Sequence, residues 1–229
     1  MSLRKALLLA TALSALSAAP ALAQDEGPTI SFNLGAATDY VFRGVSNTDE
    51  NPQVFGGADI TSGMFYAGVW ASNVDFNDST DAEYDLYVGI TPTLGAVSLD
   101  LGVLYYGYID APSGSDLDYV EFQAKATVPA GPMTLGAGLY YSPDSYAHVD
   151  TAMYYEVNAD YAVGDKLSFS AALGRQTFDG PGDYTTWNVG MGYALTDNIG
   201  VDLRYHDTDK HSFGKTYDSR VVLSLEVSF

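Results

Sequence analysis

From Thr29 onward the chain alternates between apolar and small or polar residues with a period of two, the signature of a strand with two different faces. In the first such run Ile30, Phe32, Leu34 and Ala36 share one side, and Ser31, Asn33 and Gly35 share the other. The pattern recurs over residues 83–90, 97–103, 120–125, 133–139, 153–161, 167–174, 187–193, 199–206 and 222–229, and more weakly over 54–60 and 65–71. Together these runs predict twelve strands and no helix of any length. The connections alternate in length: tight turns are expected at 62–63, 92–96, 129–132, 164–166 and 196–198, and longer polar loops at 44–52, 73–82, 109–118, 142–151, 176–183 and 207–218. An even number of strands with short turns at one end and long loops at the other predicts an all-β fold, a transmembrane antiparallel up-and-down β-barrel with short periplasmic turns and long extracellular loops.

The solvent decides which face points where. A soluble sandwich turns its apolar faces inward onto a dry core. Here the opposite face carries Gly, Ser, Asn, Asp and Glu, too polar for a dry layer. An inverted barrel resolves this, with the apolar face to lipid and the polar face to a wet lumen. Closure then satisfies the backbone groups that hydrocarbon cannot. Tyr40, Phe42, Tyr105, Tyr106, Tyr108, Tyr140, Tyr141 and Tyr205 cluster where strands enter the long loops, so they are expected to form an interfacial girdle.

Composition sharpens this picture. Only 17% of the 229 residues are charged, yet 29 acidic residues face 10 basic ones, a formal net charge of −19. With 47% hydrophobic residues the chain is no disordered acidic tail. The negative charge argues against a nucleic-acid partner. The absence of cysteine removes disulfides, thiolate metal sites and cysteine nucleophiles. At the N-terminus, Arg4 and Lys5 precede the apolar run 6–16, and Ala21-Leu22-Ala23 offers a small-x-small cleavage site. Residues 1–23 are therefore expected to be a cleaved signal peptide and 24–229 the barrel, with the formal charge moving from −19 to −21 on cleavage. The chain ends in Phe229, preceded by apolar residues at every second position, the kind of end that the barrel assembly machinery reads.

The segment Ala37-Thr38-Asp39-Tyr40-Val41-Phe42-Arg43-Gly44-Val45-Ser46 resembles the opening motif of the TorF family of outer-membrane porins. Residues 65–75, 83–89, 101–106 and 139–144 are similar to further blocks of that family, so the resemblance spans nearly the whole mature chain. It implies a barrel and a pore, with outer-membrane lipid and lipopolysaccharide around it, and no particular substrate.

A search for chemistry gives candidates for a lumen wall rather than for a reaction. Asp59, Glu83, Asp85, Asp100, Glu121, Lys125, Glu156, Asp160, Asp202, Arg204 and Glu226 fall on the inward face, nine acids against two bases. Rings of carboxylates favour cations. Asp39 and Arg43 in the opening motif join the list. For Arg43 two readings stand side by side: a cation at the lumen mouth, paired with Asp39 or facing an acidic ring, or a salt bridge that fixes the first loop. Large inward side chains such as Tyr66, Trp70, Tyr87, Leu104, Tyr106 and Tyr154 would constrict the lumen, while inward glycines would widen it. His148, His206 and His211 read as solvated polar residues, with no serine placed as a nucleophile beside them. Asp75, Asp78, Asp81 and Glu83 crowd one loop without calcium-loop spacing. The expectation is thus a non-enzymatic porin for passive diffusion of small solutes or ions, weakly cation-selective, with no cofactor and no resident metal. The alternatives are a closed barrel with a structural or loop-mediated binding role and, further off, a barrel-wall hydrolase.

Overall fold

The structure, a computed structural model, describes residues 27–147 and 149–229. The expected signal peptide and His148 lie outside the described residues. In chain order the strands are β1 (Thr29–Ala37), β2 (Val41–Phe42), β3 (Val45–Ser46), β4 (Gln53–Ser62), β5 (Phe65–Asn73), β6 (Ala82–Ile90), β7 (Thr93–Leu94), β8 (Val97–Ile109), β9 (Tyr119–Ala130), β10 (Met133–Ser142), β11 (Ala152–Val163), β12 (Leu167–Phe178), β13 (Tyr184–Ala194), β14 (Ile199–Thr208) and β15 (Arg220–Ser228). Two single-turn 3-10 segments, His211–Phe213 and Lys215–Tyr217, interrupt the last long loop.

Twelve of these strands close into one antiparallel barrel in the order β1, β4, β5, β6, β8 to β15. The first and last strands meet with Asn33 opposite Ser228 and Ala37 opposite Ser224. Reciprocal bonds between Phe32 and Phe229 extend this seam to the end of the chain. The ring is completed by β6 against β8, and β7 is a two-residue flap on the foot of β8. The wall strands are 9–13 residues long, enough to cross a bilayer at a tilt.

Alternation along each strand sorts the side chains as the sequence pattern predicts. Phe32 and Val88 are 52% and 56% exposed on the outside, whereas Glu83 and Asp85 on the inside are 1% and 0% exposed. A continuous apolar exterior would be an aggregation surface in water. Against hydrocarbon it is the favoured face.

One element was not legible from the alternation. β1 ends at Ala37, and the chain that follows does not rise as an exposed loop. Instead β2 and β3 pair as a miniature hairpin, with Val41 opposite Ser46 and Phe42 opposite Val45, and the hairpin lies inside the barrel. The tyrosine girdle needs a matching correction. Tyr141 and Tyr205 face outward, but Tyr40, Tyr106 and Tyr140 are buried in the interior, packed around this hairpin. A girdle residue must point away from the lumen; the strand register turns Tyr106 and Tyr140 the other way, and Tyr40, between β1 and β2, is carried inward with the hairpin, as is Phe42.

The lipid-facing assignment makes a quantitative demand. Val157→Arg, in the middle of β11 on the outer face, is expected to destabilise the barrel in vesicles by about 2–4 kcal/mol. Asn158→Arg, beside it at the same depth on the inner face of β11, should cost clearly less. Urea unfolding in lipid checks this, and equal costs would remove the assignment.

Candidate functional site

The site is the barrel interior, and it divides into two halves of different character. In the half near the long loops nearly every inward side chain is buried, including Ser72, Glu83, Asp85, Tyr106, Tyr119, Glu121, Tyr140, Ser142, Tyr154, Gln176, Tyr184 and Thr186. In the half near the short turns, Asp59, Asp100, Lys125, Asn158, Asp160, Asn188 and Glu226 are partly exposed to the lumen. The first half is dry because the hairpin fills it.

The hairpin turns through Arg43 and Gly44, whose φ angles are +49° and +84°. Positive φ at both central residues is what a type I′ turn requires. Gly44 suits such a turn, and a side chain there would also run into Thr186 and Thr208. Arg43 does not suit it, because a branched-off Cβ in this region costs about 1–2 kcal/mol. Its side-chain contacts offset that cost. The guanidinium Nη2 lies 2.7 Å from Glu121 Oε1, and Nη1 donates to Gln176 Oε1 at 3.4 Å. The guanidinium carbon sits 4.8 Å from the ring centre of Tyr140, 4.5 Å from that of Tyr154 and 4.6 Å from that of Phe42. Each ring face at this range is worth about 0.5–2 kcal/mol. Glu121, Tyr140, Tyr154 and Gln176 stand on β9, β10, β11 and β12, the wall opposite β1. The hairpin therefore crosses the lumen.

The base of the hairpin is held at the seam. Asp39 accepts from Ser46 Oγ at 2.6 Å, Thr48 Oγ1 at 2.8 Å and Arg220 Nη1 at 2.9 Å. Tyr40 donates its hydroxyl to Glu83 at 2.7 Å and packs against Trp70 with ring centres 5.5 Å apart. Asp39 is thus an anchor and not a lining residue, and its ion partner is Arg220 rather than Arg43. The two ends of a hairpin that spans the lumen cannot pair with each other. For Arg43 itself, the structure unites the two sequence readings: it is a salt bridge that fixes the first loop, and its partner belongs to an acidic group. Asp85 is close enough to Glu83 and Glu121 for their charges to act on it, and both its carboxylate oxygens are buried without a hydrogen-bond partner among the described residues.

In the half near the short turns the bases are already taken, and one pair, Arg204 with Asp202, is itself buried and not open to the lumen. Lys125 Nζ lies 2.7 Å from Asp100 Oδ2, and Asp100 also accepts from Tyr66 at 2.7 Å and Gln123 at 3.1 Å. Arg204 forks onto both oxygens of Asp202 at 3.1 Å and donates to Asn188 and Ser170. Asp59 is bonded to Tyr87, Glu156 to Tyr154 and Asn158, and Glu226 to Ser228. None of these three has a basic partner among the described residues, while Asp160 makes no ion pair but lies within reach of the Arg204 charge. Tyr66 reaches over Gly89 and Gly102, and Tyr154 over Gly174, so close that a methyl group on any of these glycines would strike the ring. These rings therefore lie along the wall instead of across the lumen.

The histidines differ from expectation. His206 is 8% exposed, buried on the inner face rather than solvated. His211, in the last loop, has Nε2 2.7 Å from Asp207 Oδ1. In the loop expected to hold acids, Asp75 and Asp78 cap the backbone at Asn77 and Thr80, while Glu83 turns inward. No three acidic or histidine groups converge as a metal cage among the described residues.

Residues 21–229 match the profile of a family described as "Bacterial protein of unknown function (Gcw_chp)". The chain belongs to the Gcw_chp family. The TorF likeness of the opening motif stays a resemblance, since the match is to Gcw_chp. No curated protein matches the chain. Among solved structures, one described as "KdgM porin" superposes with a TM-score of 0.62 at 9% identity, over 87% of this chain and 99% of its own. One described as "NanC porin structure in rhombohedral crystal form" gives 0.54 at 10% identity, over 87% and 98%. At these identities the likeness is one of fold: this Gcw_chp chain is a twelve-stranded barrel of the same architecture.

The His211–Asp207 contact predicts a titration. The carboxylate beside it holds the imidazole above the ordinary histidine value of 6.5. A raised value in the folded state means that this tether is at full strength below about pH 6.5 and is lost as pH rises through the raised value. Amide exchange in the 209–219 loop should accelerate across that window. Asp207→Asn should lower the His211 value measured by NMR, and an unchanged value would refute the pairing.

Proposed function

We propose that this chain is an outer-membrane, porin-like channel for small solutes, weakly selective for cations, with the β2–β3 hairpin setting its bore. The observation that carries this reading is the charge on the water-reached wall. Asp59, Glu156, Asp160 and Glu226 face the lumen, while its two bases, Lys125 and Arg204, are held by Asp100 and Asp202. A mobile anion finds no free base there, and a mobile cation finds carboxylates. The closed barrel with an apolar exterior, the porin fold and the likeness of the opening motif to the TorF family support the setting. Its surroundings are then outer-membrane lipid and lipopolysaccharide, and Phe229, 70% exposed, is the group offered to the assembly machinery.

A second reading has its own support: the dry half of the lumen is packed by the hairpin, as in a closed barrel with a structural or loop-binding role. Planar-bilayer recordings separate the two. In a salt gradient the reversal potential of the refolded chain is expected to carry the sign of cation preference. Changing Asp59, Glu156, Asp160 and Glu226 to their amides should bring it toward zero, and anion preference would sink the selectivity. Deleting residues 41–46 should raise conductance severalfold. A barrel silent both with and without the hairpin favours the second reading.

A further inference from the structure

Arginine is a poor choice for the first central position of a type I′ turn, where asparagine, aspartate or glycine avoids the strain. The guanidinium is therefore what this position is spent on. The groups that receive it are not part of the hairpin, Phe42 apart. Glu121, Tyr140, Tyr154 and Gln176 come from four consecutive strands of the rigid wall, so the receptor is built whether or not the hairpin is present. It supplies a carboxylate 3% exposed in its side chain, an amide oxygen and two ring faces. That combination fits a flat, delocalised cation and not the point charge of an ammonium. A surplus of negative charge lies nearby, because the unpartnered Asp85 is close enough to feel the charges of both Glu121 and Glu83 while Arg43 pairs only with Glu121.

We infer that Glu121, Gln176, Tyr140 and Tyr154 form a binding site for solutes that carry a guanidinium group, and that Arg43 occupies it in the closed barrel as a tethered occupant. A free guanidinium solute competes with Arg43 for the same cage. Because Arg43 is tethered, it competes at an effective concentration in the millimolar range or above, so millimolar solute is needed to displace it. Displacement removes the ion pair and the cation–ring contacts of the hairpin tip, leaving the packing of Phe42 on Tyr106 and the close approach of Gly44 to Thr186 and Thr208 to hold it across the lumen. The binding claim stands without conduction. The consequence that such solutes open the channel rests on the porin reading.

Two measurements on the refolded mature chain test this separately. In the first, thermal unfolding of the wild type, Arg43→Ala and Arg43→Ala/Glu121→Gln is followed with methylguanidinium chloride against potassium chloride at constant ionic strength. Arg43→Ala is expected to show a saturable rise in Tm of about 3 °C specific to methylguanidinium. The wild type, whose cage is filled, should need a higher concentration for the same rise because Arg43 competes, and the double variant, whose cage lacks its carboxylate, should show none. Equal responses to the two salts in Arg43→Ala, or an undiminished response in the double variant, overturn the site. Arg43→Gln, which keeps chain length and loses the charge, serves under the same criteria if the alanine variant does not fold. In the second, arginine or its neutral isostere citrulline is added to one side of a bilayer holding the wild type. Arginine should raise potassium conductance and citrulline should not. If the barrel carries no current under any condition, the channel reading fails while the melting data still decide the cage.

Discussion

Backbone hydrogen bonding in an apolar solvent is the constraint from which the rest of this structure follows. A strand edge left open to hydrocarbon costs several kcal/mol for each unmet group, so β1 must find β15 and the sheet must close. Closure with the apolar face outward reverses the usual sense of a protein core. The interior then collects everything the lipid rejects: the carboxylates, the amides, the few bases and the tyrosine hydroxyls. A twelve-stranded ring is too wide for one layer of side chains to fill. Its middle must be filled by water or by chain.

This protein uses both, and the split is visible in burial. Toward the short turns, small residues and rings laid along the wall leave the carboxylates in contact with water. Toward the long loops, the chain between β1 and β4 folds back in and the interior becomes dry. The hairpin is too short to be stable by its own two pairs. It persists because both ends are fixed to the wall, at Asp39 by Arg220 and at Arg43 by Glu121 and the rings of Tyr140 and Tyr154, with Ser46 and Thr48 tying Asp39 to the hairpin's own return strand. Buried ion pairs of this kind are more a device for position than for net stability. What they position here is the hairpin that fills this half of the interior.

The barrel was legible in the sequence because the period of two in each strand is imposed by two solvents at once. Lipid outside and polar lumen inside leave no strand position indifferent, so Ile30, Phe32 and Leu34 could be placed against Ser31, Asn33 and Gly35 without a structure. Alternating loop lengths then supplied the topology. The hairpin was not legible in the same way. Residues 41–46 make only four strand residues, and their one local signal, Arg-Gly flanked by Phe42 and Val45, marks a turn without saying where the turn lies. The tyrosines were misread for a related reason. A tyrosine near a strand end fits the interface and the lumen equally well, and only the register separates Tyr140, facing in, from Tyr141, facing out. Arg43 stood out from its setting, yet its partner is 78 positions away in sequence, a pairing that no local pattern encodes.

The charge of the chain acquires meaning from this geometry. An excess of acid over base on a soluble protein is spread over a surface that water screens. In a barrel the acids divide between outer loops and a lumen whose walls are of low dielectric, where screening is weaker and each unpaired carboxylate acts over a longer range. What matters is then the balance left after internal pairing, and not the total of −19. Lys125 and Arg204 are paired with Asp100 and Asp202, and Arg43 with Glu121, which leaves Asp59, Asp85, Glu156 and Glu226 without a base among the described residues. The cations Arg43, Lys125 and Arg204 are engaged in holding structure, and under the proposed channel reading the acids then dominate the field that a solute would meet.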